Sequence, residues 1–125
     1  MSGDWSMLLA VAESEVQQIL RTLPRDLRTE AQRVPVCFER RPNQELEADG
    51  IEPDTLGLFV GDAYADAETS SAPLPPQIIL FLENIRDAAE ENGTPYRKEI
   101  RTTLLHELGH YLGLDEIDLE ERGLD

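Results

Sequence analysis

The two histidines of the chain stand four residues apart, at positions 106 and 110, and Glu107 follows the first directly. Residues at this spacing stack one turn apart on a helix, so two imidazoles can converge on one metal ion. Neutral imidazole is a good zinc ligand, and zinc lowers the pKa of a bound water molecule to about 7. A carboxylate beside the ion takes the proton from that water as a general base. His106, Glu107 and His110 therefore predict a hydrolytic zinc site, with Glu107 as its catalytic residue.

A third protein ligand is needed if such a site is to be tetrahedral with one position left for water. Gly113 follows His110 by three residues and lets the chain turn sharply out of a helix, because glycine tolerates positive φ. A carboxylate three residues further on can then turn back toward the ion, and Glu116 occupies that position. We therefore expect His106, His110 and Glu116 to be the metal ligands, with Asp115 as the alternative third ligand.

The segment that carries the motif, residues 94 to 113, has the strongest helical pattern in the chain. Thr94 is the expected N-cap and Gly113 the expected C-terminal exit. Projected at about 100° per residue, the two histidines fall on one side with Glu99 between them, and Glu107 lies on their flank. The opposite side is a broad apolar arc, which predicts that leucines pack inward while the histidines face out. The arc comprises Ile100, Leu104, Leu105, Leu108, Tyr111 and Leu112.

Glu99 admits two interpretations. Either its carboxylate forms a hydrogen bond with a histidine that binds the metal, or it is a charge on the protein surface.

The other segments indicate an α+β fold with a small mixed sheet of about three to four strands, packed by helices. The metal motif then lies on a C-terminal helix. The predicted elements are a helix over 4–23, a short helical turn within 26–34, strands near 34–42, 56–61 and 77–82, a helix over 83–93 and a last short helix within 115–124; segments 42–55 and 62–76 are predicted loops.

Length and composition predict one domain spanning residues 1–125. The net charge of −15 repels phosphate backbones and anionic membranes, so neither nucleic acid nor membrane is an expected partner. The chain has no apolar run of about 18 residues and no signal-peptide pattern. Its single cysteine, Cys37, excludes an internal disulfide. These features predict a cytoplasmic protein and leave its oligomeric state open.

The stretch “HELGHYLGLDE” fits H-E-x-x-H-x-x-G-x-x-E and resembles the motif of zincin metallopeptidases. Together with “LPRDL”, “VPVCFERRP”, “LGLFVG” and “LPPQIILFLENI”, in that order, it resembles the small bacterial zincin-like metallopeptidases, or minimal zincins, over roughly residues 15–125. The resemblance implies a compact zincin-like α+β domain with zinc held by His106, His110 and an acidic residue at the position of Glu116. It also implies that Glu107 is the catalytic glutamate.

The leading hypothesis is a zinc-dependent metallopeptidase that hydrolyses peptides or unfolded protein segments, with the substrate added as a strand at an exposed sheet edge. Tyr64, Tyr96 and the few arginines are candidates for stabilising the oxyanion. The small size and the absence of a full lower subdomain favour the alternative of a metal-binding zincin-like module with a structural or partner-binding role and no proteolytic activity. An RNA-processing metalloenzyme fits less well, because such enzymes place three histidines and this chain has two.

Overall fold

The computed structural model describes residues 2–61 and 76–123, and the side chain of Glu116 lies outside what it describes. The fold is α+β, as predicted from the sequence. The elements are α1 (Ser2–Thr22), α2 (Arg25–Ala31), β1 (Val36–Glu39), α3 (Gln44–Ala48), β2 (Gly57–Val60), β3 (Gln77–Phe81), α4 (Leu82–Asn92), α5 (Tyr96–Leu112) and α6 (Glu116–Glu121). The loop predicted over 62–76 lies outside the described residues except for Pro76.

The three described strands form one mixed sheet in the order β1-β3-β2. Strand β3 is a continuous apolar run and lies at the centre of the sheet, between β1 and β2, which is the position expected for such a run. β1 pairs with β3 in parallel, with Val36 opposite Ile78, and β2 pairs with β3 antiparallel, with Leu58 opposite Ile79. β2 is therefore an edge strand of the described sheet.

Helix α5 lies at the centre of the structure and packs against α1, α4, β2 and β3. The amphipathic pattern of α1 explains its place in this core, because its apolar positions recur at helical spacing. The largest fully buried side chains are Leu8, Ile19, Ile78, Leu80, Phe81, Leu82, Ile85, Ile100 and Leu104. This core holds the motif helix rigidly against the sheet.

Two local predictions were wrong. The segment 42–55 contains the short helix α3, which has no buried residue and begins where the Asn43 side chain accepts a hydrogen bond from the Leu46 N–H at 2.9 Å. Local capping rather than apolar burial supports it, so the polar pattern gave no helical signal. Thr94 does not cap α5: Pro95 precedes the helix, and the Thr94 hydroxyl donates to Glu99 instead, at 2.7 Å.

Within the described part of the chain, none of the helices has the length and apolar character that a membrane span requires.

Candidate metal centre

The motif helix α5 separates its apolar and histidine faces as the periodicity predicts. Leu104, Leu105 and Leu108 are buried, whereas His106 and His110 are exposed. Gly113 ends the helix in the left-handed conformation, at φ 72°. The N–H of Leu114 donates to the carbonyl of Gly109 at 2.8 Å, so the chain leaves α5 in a tight turn. The helix thus presents both imidazoles beside the turn that leads into α6.

The Nε2 atoms of His106 and His110 lie 3.2 Å apart, and the two rings are nearly perpendicular, at 86°. At this distance the two nitrogens are close enough to share one proton or to bind one cation. Two nitrogens at about 2.05 Å from one tetrahedral zinc ion would be about 3.3 Å apart. The nitrogen spacing, the type of donor and the exposure of both rings therefore fit zinc.

Glu107 lies beside the histidines but is 8% exposed, unlike either of them. Single ligand atoms of His106, Glu107 and His110 all lie within 4.8 Å of one another. Burial raises the pKa of the Glu107 carboxyl above its ordinary value, while the two imidazoles and the backbone N–H of Phe59 act in the opposite direction. The cluster combines two metal-binding nitrogens with one carboxylate held in a partly desolvated position.

Strand β2 covers this carboxylate, and Gly57 is the point of closest approach. A Cβ added to Gly57 would lie 2.8 Å from Cγ2 of Thr103 and 3.1 Å from Cγ of Glu107. Both distances are shorter than ordinary carbon contacts, so only glycine leaves the space that α5 occupies. Gly57 was not among the predicted site residues, although a glycine within a strand is a signal for close approach of this kind.

The outer edge of β2 faces the candidate centre. Phe59 stands opposite Ile78, whose N–H donates to Pro35 on the other side of β3. Phe59 and Ile78 are therefore a non-hydrogen-bonded pair, and the Phe59 N–H points away from the sheet. That N–H bonds to Glu107. The outward edge of β2 and the catalytic candidate thus lie together, and Glu107 occupies one of the outward N–H groups of that edge.

The candidate third ligands are placed differently. Asp115 is the N-cap of α6: its Oδ1 accepts from the Asp118 N–H at 2.8 Å, and the Asp118 carboxylate accepts from the Asp115 N–H at 3.1 Å. Asp115 also lines a cavity of about 180 Å³ with both histidines. Glu116 is the first residue of α6, and the predicted role of its side chain lies outside what the structure describes.

Of the two tyrosines predicted as oxyanion-stabilising candidates, the structure describes Tyr96, whose hydroxyl does not lie at the centre. The Tyr96 hydroxyl donates to the carbonyl of Leu8 at 3.0 Å, on the α1 side of the helix. Tyr111 is buried, as its projection predicts, and its ring lies 5.9 Å from that of Phe59. Tyr64 lies outside the described residues.

A buried asparagine fixes the segment that leads into β2. Asn84 on α4 is 4% exposed, and its amide nitrogen donates to the carbonyls of Pro53 and Thr55, at 2.8 and 2.9 Å. Its amide oxygen accepts from Arg41 at 2.6 Å. Every polar atom of this side chain is engaged, so the start of β2 is held to α4. No local pattern predicts these two bonds to Pro53 and Thr55, because their partners are about 30 positions from Asn84.

Comparison with known proteins places the chain in a family. The model of the family described as zincin-like metallopeptidase matches residues 31–124, which is 94 of the 125 residues. The match includes all three strands, the motif helix and α6. It confirms the family resemblance that the motif indicated. No curated protein is significantly similar to the chain.

Proposed function

The chain belongs to the zincin-like metallopeptidase family, and on that premise we propose that it is a zinc-dependent peptidase. The observation that carries the proposal is the convergence of His106, Glu107 and His110, whose ligand atoms lie within 4.8 Å of one another on one helix. His106 and His110 would hold the ion, with Glu116 as the third ligand. We prefer Glu116 to Asp115 because the carboxylate of Asp115 is engaged in capping α6.

When bound, zinc acts as a Lewis acid that polarises the scissile carbonyl and acidifies a water molecule. Glu107 accepts a proton from the attacking water, whose oxygen forms a bond to the carbonyl carbon. The carbon–nitrogen bond of the peptide then breaks, and Glu107 delivers the proton to the departing amine. Its partial burial beneath β2 limits exchange of that proton with bulk solvent.

The substrate in this proposal is a peptide or an unfolded protein segment in extended form. The outward backbone groups of β2 other than the Phe59 N–H, which bonds to Glu107, offer hydrogen bonds to an added strand, and such a strand would pass directly over Glu107. A folded protein does not present a free strand of this kind, so flexible segments are the expected substrates.

The test is cleavage of a random peptide library by the zinc-loaded wild type and by Glu107→Gln. We expect the substitution to lower the cleavage rate by at least about 100-fold, because it removes the general base. Glu90→Gln is the matched control: it makes the same chemical change at an exposed position on α4. Equal cleavage by the wild type and Glu107→Gln would refute the proposed mechanism.

A metal-binding module without hydrolysis is the second candidate. It is favoured by the small size of the two cavities that flank His106 in the described part of the chain, about 180 and 270 Å³, because small-molecule pockets are typically about 300–1,000 Å³. This alternative predicts that chelation lowers the melting temperature strongly while the wild type cleaves no member of the library. Cleavage that depends on Glu107 would exclude it.

A further inference from the structure

A second cavity, of about 270 Å³, lies between the start of β2 and the first turns of α5. His106 and Glu107 form one end of it and Glu99 forms the other. Its walls between these ends include Leu56, Thr102 and Thr103. Glu99 and His106 are two helical turns apart, which is about 10.5 Å along the axis. A long side chain that enters beside the candidate centre would therefore reach toward a carboxylate.

Glu99 forms its hydrogen bonds with Asn92 and Thr94. It does not bond to a histidine in the described structure, which was one of its two predicted roles. Its Oε1 accepts from the Thr94 hydroxyl at 2.7 Å and from the Asn92 amide at 3.4 Å. Asn92 is the last residue of α4, and Thr94 lies in the turn between α4 and α5. In the described part of the chain these two bonds go to the same oxygen, so they orient the carboxylate and leave Oε2 for another donor.

The charge of Glu99 is also unusual in having no cationic partner among the described residues. The other half-buried glutamates each have an arginine nearby, at 3.2 Å for Glu15, 3.5 Å for Glu30 and 2.7 Å for Glu83. A half-buried carboxylate without such a partner gains more from a cationic ligand than a paired one does.

We propose that this cavity binds a lysine or arginine side chain of the substrate and that Glu99 binds its cationic end. The long methylene stem would lie along Leu56 and the methyl groups of the two threonines, while the charged head meets the free oxygen of Glu99. The inference rests on the proposed peptidase function and adds its substrate preference. It makes Glu99 a specificity residue without a part in bond cleavage.

The test uses pairs of peptides in which one position of a single sequence carries either arginine or citrulline. Citrulline has a similar shape without the charge, and each position of the sequence is tested in turn. Binding is measured by fluorescence polarisation on zinc-loaded Glu107→Gln, and cleavage on the zinc-loaded wild type. We expect arginine at one position to bind about tenfold more tightly than citrulline, as one charge-assisted hydrogen bond would give.

In a Glu99→Gln background the ratio should fall to about one, and in Glu99→Lys a glutamate peptide should become the preferred ligand. Glu90→Gln should keep the original ratio, which controls for the general acidity of the protein. If Glu107→Gln does not fold, the arginine-to-citrulline ratio of the wild-type cleavage rates serves instead.

Equal binding of the two peptides would overturn the inference, as would a ratio that persists in Glu99→Gln or a failure to bind any peptide. Cleavage by the wild type without a charge preference would overturn this inference and leave the peptidase proposal standing. Arginine-selective binding without any cleavage would support this inference and refute the peptidase proposal.

Discussion

Gly57 of β2 lies directly over Glu107 of α5: a Cβ on Gly57 would lie 3.1 Å from Cγ of that glutamate. Because Gly57 has no side chain, the edge strand β2 can pack directly against the candidate base. It explains how Glu107 is buried on a helix face whose two histidines are exposed.

We expect Gly57→Ala to destabilise the protein by about 1–3 kcal/mol, the usual cost of adding a methyl group to a tightly packed site. The new methyl group must displace Thr103 or Glu107, so library cleavage should fall as well. Urea unfolding measures the first effect. Val60→Ala, at an exposed position of the same strand, is the control and should cost less than about 1 kcal/mol. An alanine variant as stable and active as the wild type would contradict the close approach.

The third ligand can be identified by two conservative substitutions. Glu116→Gln should weaken zinc binding by at least about 10-fold, because it removes the charge of the proposed third ligand. Asp115→Asn should leave zinc affinity and stability nearly unchanged, since asparagine also caps helices well. Competition with a chromogenic chelator measures both affinities. A large loss of affinity in Asp115→Asn alone would assign the ligand to Asp115.

Asn84 should contribute to stability through the segment before β2. Asn84→Ala removes the donors to Pro53 and Thr55 and leaves their carbonyls without these bonds, so we expect a loss of about 1–3 kcal/mol for each group that stays buried. Thermal unfolding measures it. Asp87→Asn is the control, because Asp87 makes exposed ion pairs that are worth about 0–1 kcal/mol. Equal losses of stability in the two variants would show that the buried hydrogen bonds of Asn84 stabilise the fold no more than exposed ion pairs do.

Stability should depend on pH through Glu83. The hydrogen bond from Arg40 and the charges of nearby arginines hold the pKa of this carboxyl below its ordinary value of 4.5. The unfolded chain therefore binds the proton more readily, and the stabilising contribution is complete above the unfolded pKa and lost as the pH falls through the folded one. Glu83→Gln should lack this part of the acid-induced decrease in melting temperature. An identical decrease in both proteins would contradict this role of Glu83.

Much of the candidate site follows from local periodicity. The helical projection correctly placed the histidines outward and Leu104 and Leu108 inward, because it depends only on residues within one helix. The strands at 57–60 and 77–81 also followed from short apolar runs. The α+β fold class was confirmed in the same way, since the order of such elements restricts how they can pack.

Contacts between distant residues were beyond such reasoning. Periodicity put Glu107 on the flank of the histidines, but its burial comes from β2, about 50 residues earlier in the chain. Glu99 was left with two interpretations because its partners, Asn92 and Thr94, depend on the geometry of a turn. Helix α3 was missed because it buries nothing that a hydrophobic pattern would reveal.

Zinc binding by the purified chain tests the proposed metal centre without depending on a substrate, and it is measured by metal analysis after dialysis and by titration against a chelator. We predict one zinc ion per chain in the wild type and in Glu107→Gln, with affinity at least about 100-fold lower in His106→Ala and His110→Ala, because each loses one of three protein ligands. A wild type that binds no zinc, or a His106→Ala variant that binds it equally well, would refute the proposed metal centre.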